Sequence, residues 1–253
     1  MRVDDSWLEM VLPFSDQTRL RESMMMDDGK TMRYGKLFEL LDALAADVAY
    51  RHCGGKQSQL TIVTASVDGM KNFTRIDIVN DVKMQGYITY TGKTSMEVGL
   101  VTIDILAASE SGEDLLAETK FIMVARSGEK AAQVPGLVLM NEEAKHRFEV
   151  GAEQARTRRV RAQQSLSVSP PKAEEVHLIH NLYLQSIKQN SSTQEVELQV
   201  LFNIYLYINI YSPPLLLDQD RNVHGKIFGG YLMKKAYEIA HVAAVRAPVF
   251  TQK

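Results

Sequence analysis

Apolar residues recur at helical spacing in one early stretch of this 253-residue chain. In GKLFELLDALAADVAYRHC, Gly35 to Cys53, the residues Leu37, Leu41, Leu44 and Val48 form one stripe. Phe38, Ala45 and Ala49 form a second stripe beside it. A helix apolar over so much of its girth is surrounded by other elements. The CGG that follows supplies glycine, the natural residue just past a helix end. Strand-like runs come next: LTIVTASVD from Leu60, VKMQGYITYT from Val82, TSMEVGLVTIDILAA from Thr94 and LLAETKFIMVAR from Leu115. Turns rich in Gly and Asp separate them. One buried helix followed by about four long antiparallel strands predicts an α+β domain, a sheet wrapped around a single central helix.

Residues from Asn141 to Lys188 are charged and helical in flavour, and RTRRVRA (Arg156 to Ala162) adds a basic cluster flanked by glutamates. This is the pattern of a solvated connector helix rather than of a phosphate site. Beyond a polar break, VLFNIYLYINIY (Val200 to Tyr211) is β-branched and aromatic and reads as a strand. It is too short to span a bilayer, which takes roughly 20 residues. A second apolar helix opens at Gly229. Laying Gly35 on Gly230 brings Leu37 onto Leu232, Ala45 onto Ala240, and Val48 and Ala49 onto Ala243 and Ala244. The match is weak but in register, and it suggests two copies of one module. The expected domains are 1–140, a first copy with an N-terminal extension; 141–195, a charged helical linker; and 196–253, an incomplete second copy with its leading strand and central helix.

Composition changes this picture little. A hydrophobic fraction of 45% and a charged fraction of 24% suit a globular protein, and a formal net charge of −2 gives no field that would favour nucleic acid. A single cysteine, Cys53, excludes an intrachain disulfide framework and a cysteine-rich zinc site, and reads as a small buried hydrophobe. The N-terminus, MRVDDSWLEMVLPFSD, matches neither a signal peptide nor an Arg-rich transit peptide.

Two features carry candidate chemistry. Asp42 lies in the apolar stripe Phe38, Asp42, Ala45, Ala49. A carboxylate there is costly unless paired or solvated, and desolvation raises its pKa and makes it a better base near neutrality. The alternative is a structural aspartate hydrogen-bonded to a neighbouring loop. Gly229 and Gly230 open the second helix, where backbone N–H groups and the helix dipole can polarise a carbonyl oxygen. Close packing of that helix on a sheet would also favour glycine. His224 and His241 lack a partner set for a metal, so no metal site is expected.

The run NVHGKIFGGYLMKKAYEIA (Asn222 to Ala240) resembles the second-domain signature of the acyl-CoA thioesterases with two hotdog domains, of the mitochondrial acyl-coenzyme A thioesterase 9 type. SWLEMVLPFSDQTRLRE, MRYGKLFELLDALAADVAY, LTIVTASVD, YITYTGKTSMEV and ETKFIMVAR resemble its first domain in order. The resemblance implies a hotdog fold, one complete copy plus a partial second, and hydrolysis of fatty acyl-CoA to free acid and CoA. It implies one composite site, with the family's catalytic Asp on Asp42 and its Asn on Asn222; the position equivalent to Asp42 in the second copy is Tyr237. Gly229 and Gly230 would stabilise the oxyanion, and Gly92, Lys93, Thr94 and Ser95 would lie along the pantetheine arm. It implies no cofactor beyond CoA as part of substrate and product, no metal, no membrane span, and pairing of hotdog sheets into a homo-oligomer. The family type is mitochondrial; the absence of a visible import signal leaves the cytoplasm as an alternative. The family has a complete second hotdog, whose sheet is expected to be missing after Lys253. An inactive acyl-CoA-binding or dimerisation module is therefore the competing expectation. A hotdog hydratase would need an Asp–His pair, which only His224 offers.

Overall fold

The computed structural model of the chain describes residues 1–55, 58–71, 76–78, 80–104, 114–165, 168–189 and 229–246. The strand expected over Val200–Tyr211, together with Asn222 and His224, lies outside the described residues. In chain order the elements are helix α1 (Val3–Ser6), strand β1 (Leu8–Leu12), helix α2 (Thr18–Met24) and the long helix α3 (Tyr34–His52). Strands β2 (Thr61–Lys71), β3 (Val82–Thr91), β4 (Ser95–Asp104), β5 (Asp114–Ser127) and β6 (Lys130–Ala131) follow. Helices α4 (Glu142–Gln163), α5 (Ala173–Gln189) and α6 (Gly229–Arg246) complete the described elements.

The four anticipated strands, β2 to β5, form an antiparallel sheet together with β1, in the order β1-β3-β4-β5-β2, with β6 folded back on the end of β5. Strand β1 was not legible as a strand, because five residues are too few to show an alternation; it joins the edge through Leu8 opposite Gly86 and Leu12 opposite Val82. Helix α3 lies across one face and touches β1 through β5. Both of its apolar stripes are buried there. The inward residues of the sheet, among them Met84, Ile88, Met96, Val98, Phe121 and Met123, close the core from the other side. Each such side chain contributes about 1.5–3 kcal/mol on burial, so tertiary packing rather than helix propensity holds α3. Gly86 sets how close the helix can come: a Cβ there would stand 2.6 Å from the Leu100 side chain and 3.0 Å from that of Val48.

Alternation also decides the outer face. Met96, Val98 and Leu100 point to α3, so Glu97 points away from it. Its side chain is nonetheless fully buried, held by Lys120 Nζ at 3.2 Å and by the Thr89 hydroxyl at 3.0 Å. Helix α4 helps to cover it. The charged face of α4 carries exposed pairs, Lys145–Glu142 and Arg147–Glu143, as a solvated connector would. Ala144, Phe148 and Gly151, spaced i, i+4, i+7, form a narrow second face. Phe148 packs on Tyr90 with ring centroids 4.9 Å apart, and the Arg147 guanidinium stands 5.0 Å from the Tyr87 ring centre. A sequence dominated by charge concealed this docking face, because only three small or aromatic positions make it.

Contacts divide the chain into two compact units, Met1–Glu153 with Asp218–Lys235, and Gln154–Leu217 with Ala236–Lys253. In the second unit, α5 follows Pro170 and Pro171, and its first turn is closed by the Lys172 N–H donating to the Glu175 carboxylate at 2.8 Å. None of the described helices is long and apolar enough to cross a membrane.

Candidate active site

The helical spacing that buries Phe38, Ala45 and Ala49 carries Asp42 inward with them, leaving it 1% exposed. Two different elements satisfy its carboxylate. From β2, the Thr64 hydroxyl donates to Oδ1 at 2.6 Å. Thr64 reaches it because β2 alternates: Ile62 is buried, and two positions on Thr64 faces the same side, opposite the buried Met123. From α6, the Gly230 N–H donates to Oδ2 at 2.6 Å, and the Gly229 amide also acts on the carboxylate. Burial pushes the Asp42 pKa above the usual carboxylate range, against the opposing pull of the Thr64, Gly230 and Gly229 hydrogen bonds. The result is a desolvated carboxylate seated on the positive end of a helix dipole.

The glycines serve two purposes at once. A Cβ at Gly230 would lie 2.7 Å from Glu39 Cα and 3.0 Å from both Asp42 Cβ and the Phe38 carbonyl oxygen. One at Gly229 would lie 3.0 Å from Asp42 Oδ2 and 3.0 Å from Thr64 Cβ. The absence of side chains therefore lets the first turn of α6 press against the backbone of α3 and present its N–H groups. Gly230 packs close on helix α3 and Gly229 close on Thr64 of strand β2, so close packing and N–H donation occur together. One turn further along α6, Lys234 Nζ reaches both Glu39 oxygens at 3.1 and 3.3 Å, and Lys36 Nζ approaches the same carboxylate at 3.5 Å.

The structure thus brings Asp42, Gly229 and Gly230 together. Gly92, Lys93, Thr94 and Ser95 form the β3–β4 turn, closed by the Gly92 N–H donating to the Ser95 carbonyl at 2.8 Å. Their remaining carbonyls brace the neighbouring chain: Lys93 accepts from Val134 at 3.1 Å and Thr94 from Ala125 at 3.0 Å. Thr64 is the site residue that sequence reasoning passed over, although the alternation around Ile62 was a signal for it. Cys53 offers no nucleophile: burial pushes its thiol up to about 11, and its sulfur rests 3.7 Å from that of Met96. Among the described residues, no group of three or more His, Cys, Asp and Glu side chains is placed to hold a metal ion.

No family model matches the chain. It is 31% identical to the mitochondrial acyl-coenzyme A thioesterase 9 of Homo sapiens and to that of Bos taurus, over 96% and 95% of its length. It is also 31% identical, over 96% of its length, to the mitochondrial acyl-coenzyme A thioesterase 10 of Mus musculus. The chain is homologous to these acyl-CoA thioesterases. It spans 56% of the length of each. The fold is that of the hotdog acyl-CoA thioesterases. The acyl-CoA hydrolase from Staphylococcus aureus, solved with butyryl-CoA and CoA, superposes with a TM-score of 0.53 at 22% identity, covering 66% of this chain and 96% of that one. An apo-hexameric acyl-CoA thioesterase gives 0.54 at 24% identity, covering 64% and 96%. The solved forms of the Staphylococcus aureus hydrolase include variants in which one threonine, one asparagine or one aspartate is replaced by alanine.

Proposed function

We propose that this thioesterase homologue hydrolyses fatty acyl-CoA to free acid and CoA, with Asp42 as general base. The observation that carries the proposal is the buried Asp42 carboxylate held between the Thr64 hydroxyl and the Gly230 N–H, each at 2.6 Å. With the Gly229 amide as a third donor, the four lone-pair sites of the carboxylate leave one for a water molecule. Desolvation makes that carboxylate more basic than one in solution. As it takes the water proton, its negative charge passes to the carbonyl oxygen of the thioester. The first-turn N–H groups of α6 lose one anion and gain another, so the dipole that steadies Asp42 in the ground state steadies the oxyanion as it forms. Thr64 orients the carboxylate. Asn222 would hold the water or the carbonyl, and Gly92, Lys93, Thr94 and Ser95 would line the pantetheine arm. The thiolate of CoA leaves without a strong general acid. The named relatives support a mitochondrial location, and the hexameric neighbour supports assembly into homo-oligomers.

The test is release of free CoA from acyl-CoA, followed with a thiol reagent on the full chain. A general base is worth about 10²–10⁴ in rate, so Asp42→Ala should lose at least that much, and Asn222→Ala and Thr64→Ala should lose less, with circular dichroism unchanged. Parent-level hydrolysis by both Asp42→Ala and Asn222→Ala would remove the site. CoA-ester binding with no turnover by the parent would leave the acyl-CoA-binding module.

A further inference from the structure

Glu39 and Lys234 are 195 positions apart. That offset is the one that lays Gly35 on Gly230 in the internal repeat. The two residues are therefore the same position in the two copies of the module, and they touch each other. When two related bodies pair about a local twofold axis, a position that meets its own equivalent lies on the axis. Here the axial position carries a glutamate in one copy and a lysine in the other.

We propose that Glu39 and Lys234 form a charge key that makes the first module's helix pair with the second module's helix rather than with its own kind. Pairing α3 with a second α3 would set Glu39 against Glu39, and pairing α6 with a second α6 would set Lys234 against Lys234. Only the unlike pairing joins opposite charges. The position is suited to discriminate. Its side chains are 25% and 16% exposed, so solvent screens them less than a surface pair. Gly230 also brings α6 within van der Waals contact of the Glu39 backbone, so like charges could not simply swing apart. The geometry resembles the polar positions that select partners in paired helices. The site depends on that choice, because unlike pairing is what places the Gly230 N–H on Asp42. Lys36, exposed and 3.5 Å from Glu39, lies on α3 itself and would accompany Glu39 into either pairing, so it cannot discriminate.

The purpose of the key rests on the proposed hydrolase site, but its test does not. In the full chain, hydrogen exchange is followed over 229–235 for Glu39→Lys, Lys234→Glu and the exchanged pair Glu39→Lys/Lys234→Glu, with Lys36→Ala as control. Each single reversal should lower protection at the start of α6 at least tenfold, and the exchanged pair should restore most of it. Protection in β3–β5 should hold throughout and reports that the first module is folded. Lys234→Gln, which brings no like charges together, should lose less than Lys234→Glu. Unchanged protection in both single reversals, or an exchanged pair as open as either single, would overturn the key. CoA release measured on the same samples keeps the two proposals apart. Exchange that follows charge pairing without turnover in any variant sinks only the hydrolase, and turnover that ignores the reversals sinks only the key.

Discussion

Gly230→Ala probes the composite site most directly, because the added methyl group has nowhere to go. Its Cβ would stand 2.7 Å from Glu39 Cα and 3.0 Å from the Phe38 carbonyl oxygen, and both are backbone of a helix packed into the core. No rotamer change relieves that contact, so α6 must move. Overpacking of this kind costs about 1–3 kcal/mol. The movement also stretches the 2.6 Å bond from the Gly230 N–H to Asp42 Oδ2, and a hydrogen bond to a charged group is worth about 1.5–3 kcal/mol. Together the two effects weaken the docking of α6 on α3 by about 2.5–6 kcal/mol. At about 1.4 kcal/mol per tenfold in rate, hydrolysis should fall by about two to four orders of magnitude. The pH dependence gives a sharper signature. The Gly230 bond holds the Asp42 carboxyl down against burial; loosening it lets the pKa rise. A base must be deprotonated to act, so the acidic limb of kcat/KM should move to higher pH. The assay is CoA release across pH 5–8 for parent and variant, with thermal unfolding alongside. A Gly230→Ala chain with unaltered acidic limb and unaltered rate would show that this N–H and the carboxylate do not work together.

Two further outcomes concern buried ionisable groups of α3 and the sheet. His52 is fully buried at the end of α3 and pairs one ring nitrogen with the Pro135 carbonyl at 2.8 Å, while its Nδ1 has no hydrogen-bond partner among the described residues; burial lowers its pKa, against that bond. With the folded pKa below the unfolded one, the unfolded chain takes up the proton first, so stability should fall as pH drops below about 6.5; a His52→Gln chain should show a shallower fall in Tm, and an equal slope would reject the assignment. Lys120→Met should take the cation away from the fully buried Glu97 carboxylate, which also accepts from the Thr89 hydroxyl, costing about 3–5 kcal/mol in chemical denaturation; a loss under about 1 kcal/mol, the scale of an exposed pair, would refute it.

The period of apolar residues sufficed for much of the frame. It located α3 and its two buried stripes, four of the strands, and the anomaly of a carboxylate at Asp42, because these follow from which side of one element faces inward. The pair of glycines at the head of α6 was equally visible as a place of close approach. What the sequence left open was what stands opposite. Thr64 is one of many threonines until β2 lies beside α3. Gly229 and Gly230 suit either packing or hydrogen-bond donation until both are seen at Asp42. Phe148 and Gly151 are minor interruptions in a charged helix until Tyr90 meets them. Glu39 and Lys234 are two surface-like charges until the chain closes the 195 positions between them. Periodicity is a property of neighbours a few residues apart, whereas a site is made by the burial energy that brings distant segments together, and that energy belongs to the folded chain as a whole.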